Sequence, residues 1–213
     1  MKVRNCLSLV TAILCLTARA AVEFDGAKNV IQVSDFTKES PLTLKKLQQL
    51  DKMNSWDKVK YDSASDTYTV EADIYVGKND GTDTYMQIGT DANPKEILVL
   101  KGNLVIHPFG FQSEKDKKKA INRLTIGDKN KADINPTLKL GNNKSIFLGV
   151  CPTGAWQVKS GSGGELYIYN STVGGIGPNE MAGMNHLSGW NSIFEASNTI
   201  FINFKERFQS VSK

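Results

Sequence analysis

Apolar and polar positions change period along the chain, and each change predicts an element. In "DTYTVEADIYV", Tyr68 and Val70, then Ile74 and Val76, alternate with polar residues. A period of two is the mark of half-buried strands. Upstream, in "PLTLKKLQQLDKM", Leu44, Leu47, Leu50 and Met53 recur at every third position among lysines and glutamines. That spacing predicts a short amphipathic helix ending near Asn54. Residues 21–40 hold no sustained period and are expected to form a loosely packed lead-in. "GKNDGTD", beginning at Gly77, is a turn by composition.

Aliphatic triplets dominate the rest. Leu104-Val105-Ile106, Leu124-Thr125-Ile126, Ile146-Phe147-Leu148 and Leu166-Tyr167-Ile168 follow one another at a nearly constant interval. Ile200-Phe201-Ile202 comes after a wider gap holding "GGIGPNEMAGMNHLSGW", which is expected to be a long projecting loop. In each triplet the outer two side chains share one face of a strand. A second repeat overlays the first: "MQIGTDANP" from Met86 matches "LTIGDKNKADINP" from Leu124. Each is followed by an aliphatic strand, a Gly-Asn turn and a triplet. Repeats of this length point to a solenoid, whose units bury their apolar stripe by stacking. "GELYIYNSTVGG", residues 164–175, then reads as one rung. A β-sandwich also fits many short strands; the near-constant spacing favours the solenoid.

With these triplets, the "KGN" and "GNN" corners and "NSIFEASNTIFINF", the chain resembles the right-handed parallel β-helix superfamily, including its pectate-lyase-like members. The resemblance implies an all-β solenoid of about five coils over residues 41–213, with Leu44 to Met53 as a short N-terminal capping helix. "KERFQSVSK" at the end reads as a small cap or as the point where a longer solenoid is shortened. A polysaccharide lyase of this kind would need clustered acids for calcium and a basic residue to remove a proton.

The first twenty residues alter how composition should be read. Lys2 and Arg4 precede an uncharged run from Cys6 to Leu16, and Ala18-Arg19-Ala20 offers small residues where a signal peptidase cleaves. The run is too short to span a bilayer, which takes about 20 residues. Residues 1–20 are therefore expected to be a signal peptide. The protein is expected to be secreted (extracellular, periplasmic or cell surface), with no transmembrane segment in the mature chain. The leader carries three of the 26 Lys+Arg and none of the 22 Asp+Glu, so 23 cations remain against 22 acids. That balance gives no electrostatic case for nucleic acid. Cys6 and Cys15 leave with the leader, so Cys151 has no partner within the chain and reads as a buried thiol.

Candidate chemistry is sparse. Asp80, Asp83 and Asp91 form one turn group and Asp128 and Asp133 another, and they read as solvated turn aspartates: "NDGTD" does not match an EF-hand loop, and "GSGGELYIY" lacks the aspartate of the calcium-binding nonapeptide repeat. The run "SEKDKKKA", with Lys115, reads as a solvated loop, and Arg123 after it is a candidate base or substrate clamp. His107 and His186 have no located partner. Tyr167 and Tyr169 should share one strand face, with Trp156 and Trp190 in adjacent loops. Together these four are the candidate carbohydrate-binding residues, since such rings join an apolar face to a polar handle. The sequons at Asn143 and Asn170 are explained by Asn at corners. The expected role is non-enzymatic, binding or structural, with a polysaccharide or a surface protein as partner and no cofactor. The alternative is a lyase or glycoside hydrolase acting on an acidic polysaccharide, and calcium belongs only to that alternative.

Overall fold

The computed structural model describes residues 22–77, 82–106, 121–148, 164–177, 179–186 and 192–204. The expected signal peptide, Asp80, His107, Lys115, Cys151, Trp156, Trp190 and "KERFQSVSK" lie outside the described residues. The chain begins with β1 (Val22–Asp25) and β2 (Val30–Val33), followed by α1 (Leu44–Asn54). Then come β3 (Val59–Asp62), β4 (Thr67–Val70), β5 (Asp73–Val76), β6 (Thr84–Ile88), β7 (Ile97–Leu100) and β8 (Leu104–Ile106). Next are β9 (Asn122–Ile126), β10 (Thr137–Leu140), β11 (Ser145–Leu148), β12 (Glu165–Tyr169) and β13 (Thr172–Gly175). The last are β14 (Gly183–His186), β15 (Ile193–Ser197) and β16 (Ile200–Ile202).

From β4 onward, consecutive strands fall in different sheets, so each sheet collects every third strand. Sheet I runs β1-β2-β5-β8-β11-β14, sheet II runs β6-β9-β12-β15, and sheet III runs β3-β4-β7-β10-β13-β16. Pairing is parallel except at β1–β2 and β3–β4. The inward rows of all three sheets, among them Ile74, Leu124 and Leu138, meet in one hydrophobic cluster. The chain is thus mostly β, with parallel sheets and one helix among the described residues.

The register corrects the expected rungs. Leu104 pairs with Ile146, and Leu124 with Leu166, so each triplet skips the next one along the chain. The first four triplets therefore alternate between sheets I and II. The overlaid repeat carries the true neighbour relation: Met86 pairs with Leu124, Leu98 with Leu138 and Leu104 with Ile146. "GELYIYNSTVGG" is two strands, β12 in sheet II and β13 in sheet III, joined at Asn170–Ser171. In Ile200-Phe201-Ile202 the middle residue continues the inward row of Leu98, Leu138 and Val173, which leaves both isoleucines exposed.

Three further expectations change. The lead-in is not loose: β1 and β2 form an antiparallel pair, and Ile31, Val33 and Phe36 are buried in the core. Its short strands flank the turn residues 26–29, too brief for a period to show. Inside the expected long loop, β13 takes up Gly174 and Gly175, and β14 pairs with β11. A Cβ on Gly174 would lie 2.0 Å from the carbonyl oxygen of Ile202. Glycine there admits the neighbouring backbone, and so a loop-like composition hides a strand. In α1, Thr43 caps the first turn by accepting from Lys46 N, and Ser55 closes the last in a left-handed conformation. Leu44, Leu47 and Asp51 are the buried face, whereas Met53 is 79% exposed. At 100° per residue, Met53 sits about half a turn away from Leu44. Asp51 takes its place, accepting from Lys58 N at 2.9 Å.

Candidate functional site

Sheet II turns Met86, Ile88, Leu124, Ile126, Leu166 and Ile168 inward, all fully or almost fully buried. Strict alternation therefore sends Tyr85, Gln87, Arg123, Thr125, Tyr167 and Glu195 to its outer face. Tyr85, Arg123 and Glu165 occupy one row; Gln87, Thr125, Tyr167 and Glu195 occupy the next.

Arg123 organises this face. Its guanidinium carbon lies 5.4 Å from the Tyr85 ring centroid and 4.8 Å from that of Tyr167. Nε and Nη2 both donate to Glu165 Oε2, at 2.7 and 2.5 Å. The pair is half-buried, which favours charge-assisted bonding over solvent competition. Tyr167 and Tyr169 stack at 6.1 Å with 26° between their planes. Lys129 sits 5.8 Å from the Tyr169 centroid and 2.8 Å from Glu195 Oε1. Gln87 Nε2 donates to the carbonyl oxygens of Gly89 and Gly127 at 2.8 and 2.9 Å, which ties the corner of β6 to that of β9.

The electrostatics follow from this packing. Burial pushes the Tyr169 hydroxyl up to about 12, assisted by its hydrogen bond to Glu195 and the charge there. Tyr167 and Tyr85 are also raised, mainly by burial, with the Arg123 charge opposing. The Lys129 hydrogen bond holds the Glu195 carboxyl below its ordinary range. All three tyrosines therefore stay protonated at neutral pH, as hydrogen-bonding hydroxyls rather than bases. The guanidinium covers one face of Tyr85 and one face of Tyr167. What the surface offers is ring edges, hydroxyls and the Thr125 side chain.

Of the four expected aromatic residues, Tyr167 and Tyr169 do share one face, and Trp156 and Trp190 lie outside the described residues. Tyr169 is only 7% exposed, because it packs beneath Lys129 and Glu195 instead of standing free. Arg123 belongs to this face and not to the aspartate turns. Asp91 is bound to Lys131 at 2.7 and 2.6 Å, and the charges of Asp128 and Asp133 also act on that lysine, raising it further. Arg123 and Asp128 are five positions apart along β9 and its corner, roughly 16 Å if extended. Asp83 accepts from Ile121 N at 2.9 Å, tying the start of β6 to that of β9, and Asp128 accepts from Asn130 N at 2.8 Å within its own corner. Among the described residues, no group of three or more His, Cys, Asp or Glu is placed to hold a metal ion. His186 ends β14, opposite Leu148 of β11.

Tyr85, Glu165, Lys129 and Glu195 were missed as site residues. The signal that finds Tyr85 is the overlaid repeat: aligning Met86 with Leu124 places it beside Arg123. No family model, curated protein or solved structure matches the chain. No helix among the described residues is long and apolar enough to cross a membrane.

Proposed function

We propose that the chain is a secreted or cell-envelope protein that winds as a right-handed parallel β-helix of about five coils, with a non-enzymatic binding or structural role. Every-third-strand order and parallel pairing around one core support the winding. The right hand follows from the strong preference of parallel crossovers for that sense. The outer face of sheet II is the contact surface, and carbohydrate is its ligand class.

The observation that carries the role is the pairing of charges on that face. Arg123 is engaged by Glu165, and Lys129 by Glu195. With these charges satisfied, the surface presents tyrosine edges and hydroxyls, suited to sugar hydroxyls and to the apolar flanks of a sugar ring. The lyase alternative needs Arg123 free and beside the aspartates, and its position on β9 does not favour that.

Affinity electrophoresis through gels containing neutral and acidic polysaccharides tests the reading, alongside release of new reducing ends with and without calcium. Retardation by at least one polymer without cleavage, weakened by Tyr167→Ala, is expected. Cleavage of any polymer overturns the non-enzymatic role, and retardation unchanged in Tyr167→Ala moves the contact off sheet II.

A further inference from the structure

The two ends of the sheet stack differ, and the difference suggests a partner. At the first end the core is covered. Strand β1 covers β2 and β3 covers β4, both antiparallel. Leu42 bridges β6, donating to Tyr85 O and accepting from Gln87 N, both at 2.9 Å. Leu42, Leu44 and Leu47 are fully buried there.

At the other end, β15 and β16 are the last strands of sheets II and III among the described residues. The inward rows open at this point. Ile168 and Val173 are fully buried, yet their next neighbours, Ala196 and Phe201, are exposed, Phe201 by 39%. Outward positions are apolar too. Ile193, Ile200 and Ile202 are 42%, 62% and 40% exposed, and the last two continue rows held by Thr172 and Gly174 one strand earlier. Residues 192–204 carry one charged side chain, Glu195, and Lys129 neutralises it.

We propose that this end pairs tail to tail with the same end of a second copy, through β15 and β16. Strand edges left unpaired among the described residues, beside exposed isoleucines, form a ready template for another strand. Head-to-tail stacking would set these isoleucines against β1 and β3, the outermost strands of the first end, which expose the charged Glu23, Lys60 and Asp62. A two-fold, self-complementary contact instead sets isoleucine against isoleucine, and it closes at two copies. The near-absence of net charge removes the repulsion that otherwise opposes bringing identical surfaces together. The inference rests on sheet order and exposure, and does not depend on sheet II binding carbohydrate.

Light scattering coupled to size exclusion, over a concentration series of the purified chain, provides the test. A mass twice that of the single chain is expected, falling to one chain in the double variant Ile200→Lys, Ile202→Lys. Both replaced side chains are exposed, so the thermal midpoint of the variant's monomer should match that of diluted wild type. Thr172→Lys, one strand back on the same row, should leave the dimer intact. A single-chain mass at every concentration overturns the proposal. So does a mass that keeps growing, which signals open-ended assembly, or a double variant that remains dimeric.

Discussion

Replacing Glu96 by glutamine isolates a buried carboxyl whose charge opposes folding. Glu96 precedes β7 and is 1% exposed. Its Oε1 accepts from Gly89 N at 2.7 Å, and its Oε2 has no hydrogen-bond partner. Burial raises its pKa from 4.5 to about 7; the bond from Gly89 opposes the rise and the charge of Asp66 adds to it. Between those values the folded protein holds a proton that the unfolded chain has released. Stability is therefore greatest below the unfolded value and falls as pH rises towards the folded value. At about 1.4 kcal/mol per unit, the loss is about 3 kcal/mol. Glutamine can keep the bond from Gly89 but cannot ionise. Its unpartnered amide carries a cost that does not vary with pH, so slope rather than level is diagnostic. Urea unfolding followed by circular dichroism, from about pH 4.5 to about pH 8, should show wild type losing roughly this amount and Glu96→Gln remaining nearly flat. Asp62, Glu71 and Glu195 are held below their ordinary values, so their contributions are lost only in more acidic solution. Equal slopes in the two proteins would refute the assignment.

Arg123→Lys keeps the charge but loses the planar fork between two tyrosines. We expect a loss of about 1–2 kcal/mol, and a double-mutant cycle with Glu165→Gln should show coupling between the two positions. Additive effects in that cycle would remove the ion pair from the account. Gly127 has φ 79°, and a Cβ there would lie 1.9 Å from the carbonyl oxygen of Tyr169. Gly127→Ala should therefore cost about 2 kcal/mol or more in chemical unfolding, since strain and a backbone clash add. A wild-type midpoint would show that the corner can open.

Much of the fold was legible because alternation is a local property. Tyr68, Val70, Ile74 and Val76 were marked as strand residues by period two, and all four are buried. The helix was legible from its leucines and its end near Asn54 from the break in pattern, although a period of three overstated Met53. Sheet pairing was less accessible. A triplet states which side chains face inward, but carries no mark of the strand beside it. Equal spacing therefore made Leu104 and Leu124 look like neighbours, while the register joins Leu104 to Ile146. The repeat holding Asp91 and Asp133 was the better guide because it matched corners as well as strands. Both segments do sit at one corner, where Lys131 binds Asp91. At the site, the common face of Tyr167 and Tyr169 was readable from their spacing, and the sharing of Arg123 between Tyr85 and Tyr167 was not.

The sequence by itself determined the short strands, the one helix and the inward residue of each alternating pair. These depend on the periods of strand and helix, which the chain sets near each position. The tertiary structure alone decided that β1 and β2 pair at one end, that Gly183–His186 is a strand and that Glu96 is shut away from water. It also brought Arg123 between two rings on strands far apart in sequence. Such outcomes depend on neighbours that local periodicity does not reach, and burial and pKa are set by whatever the closed chain places there.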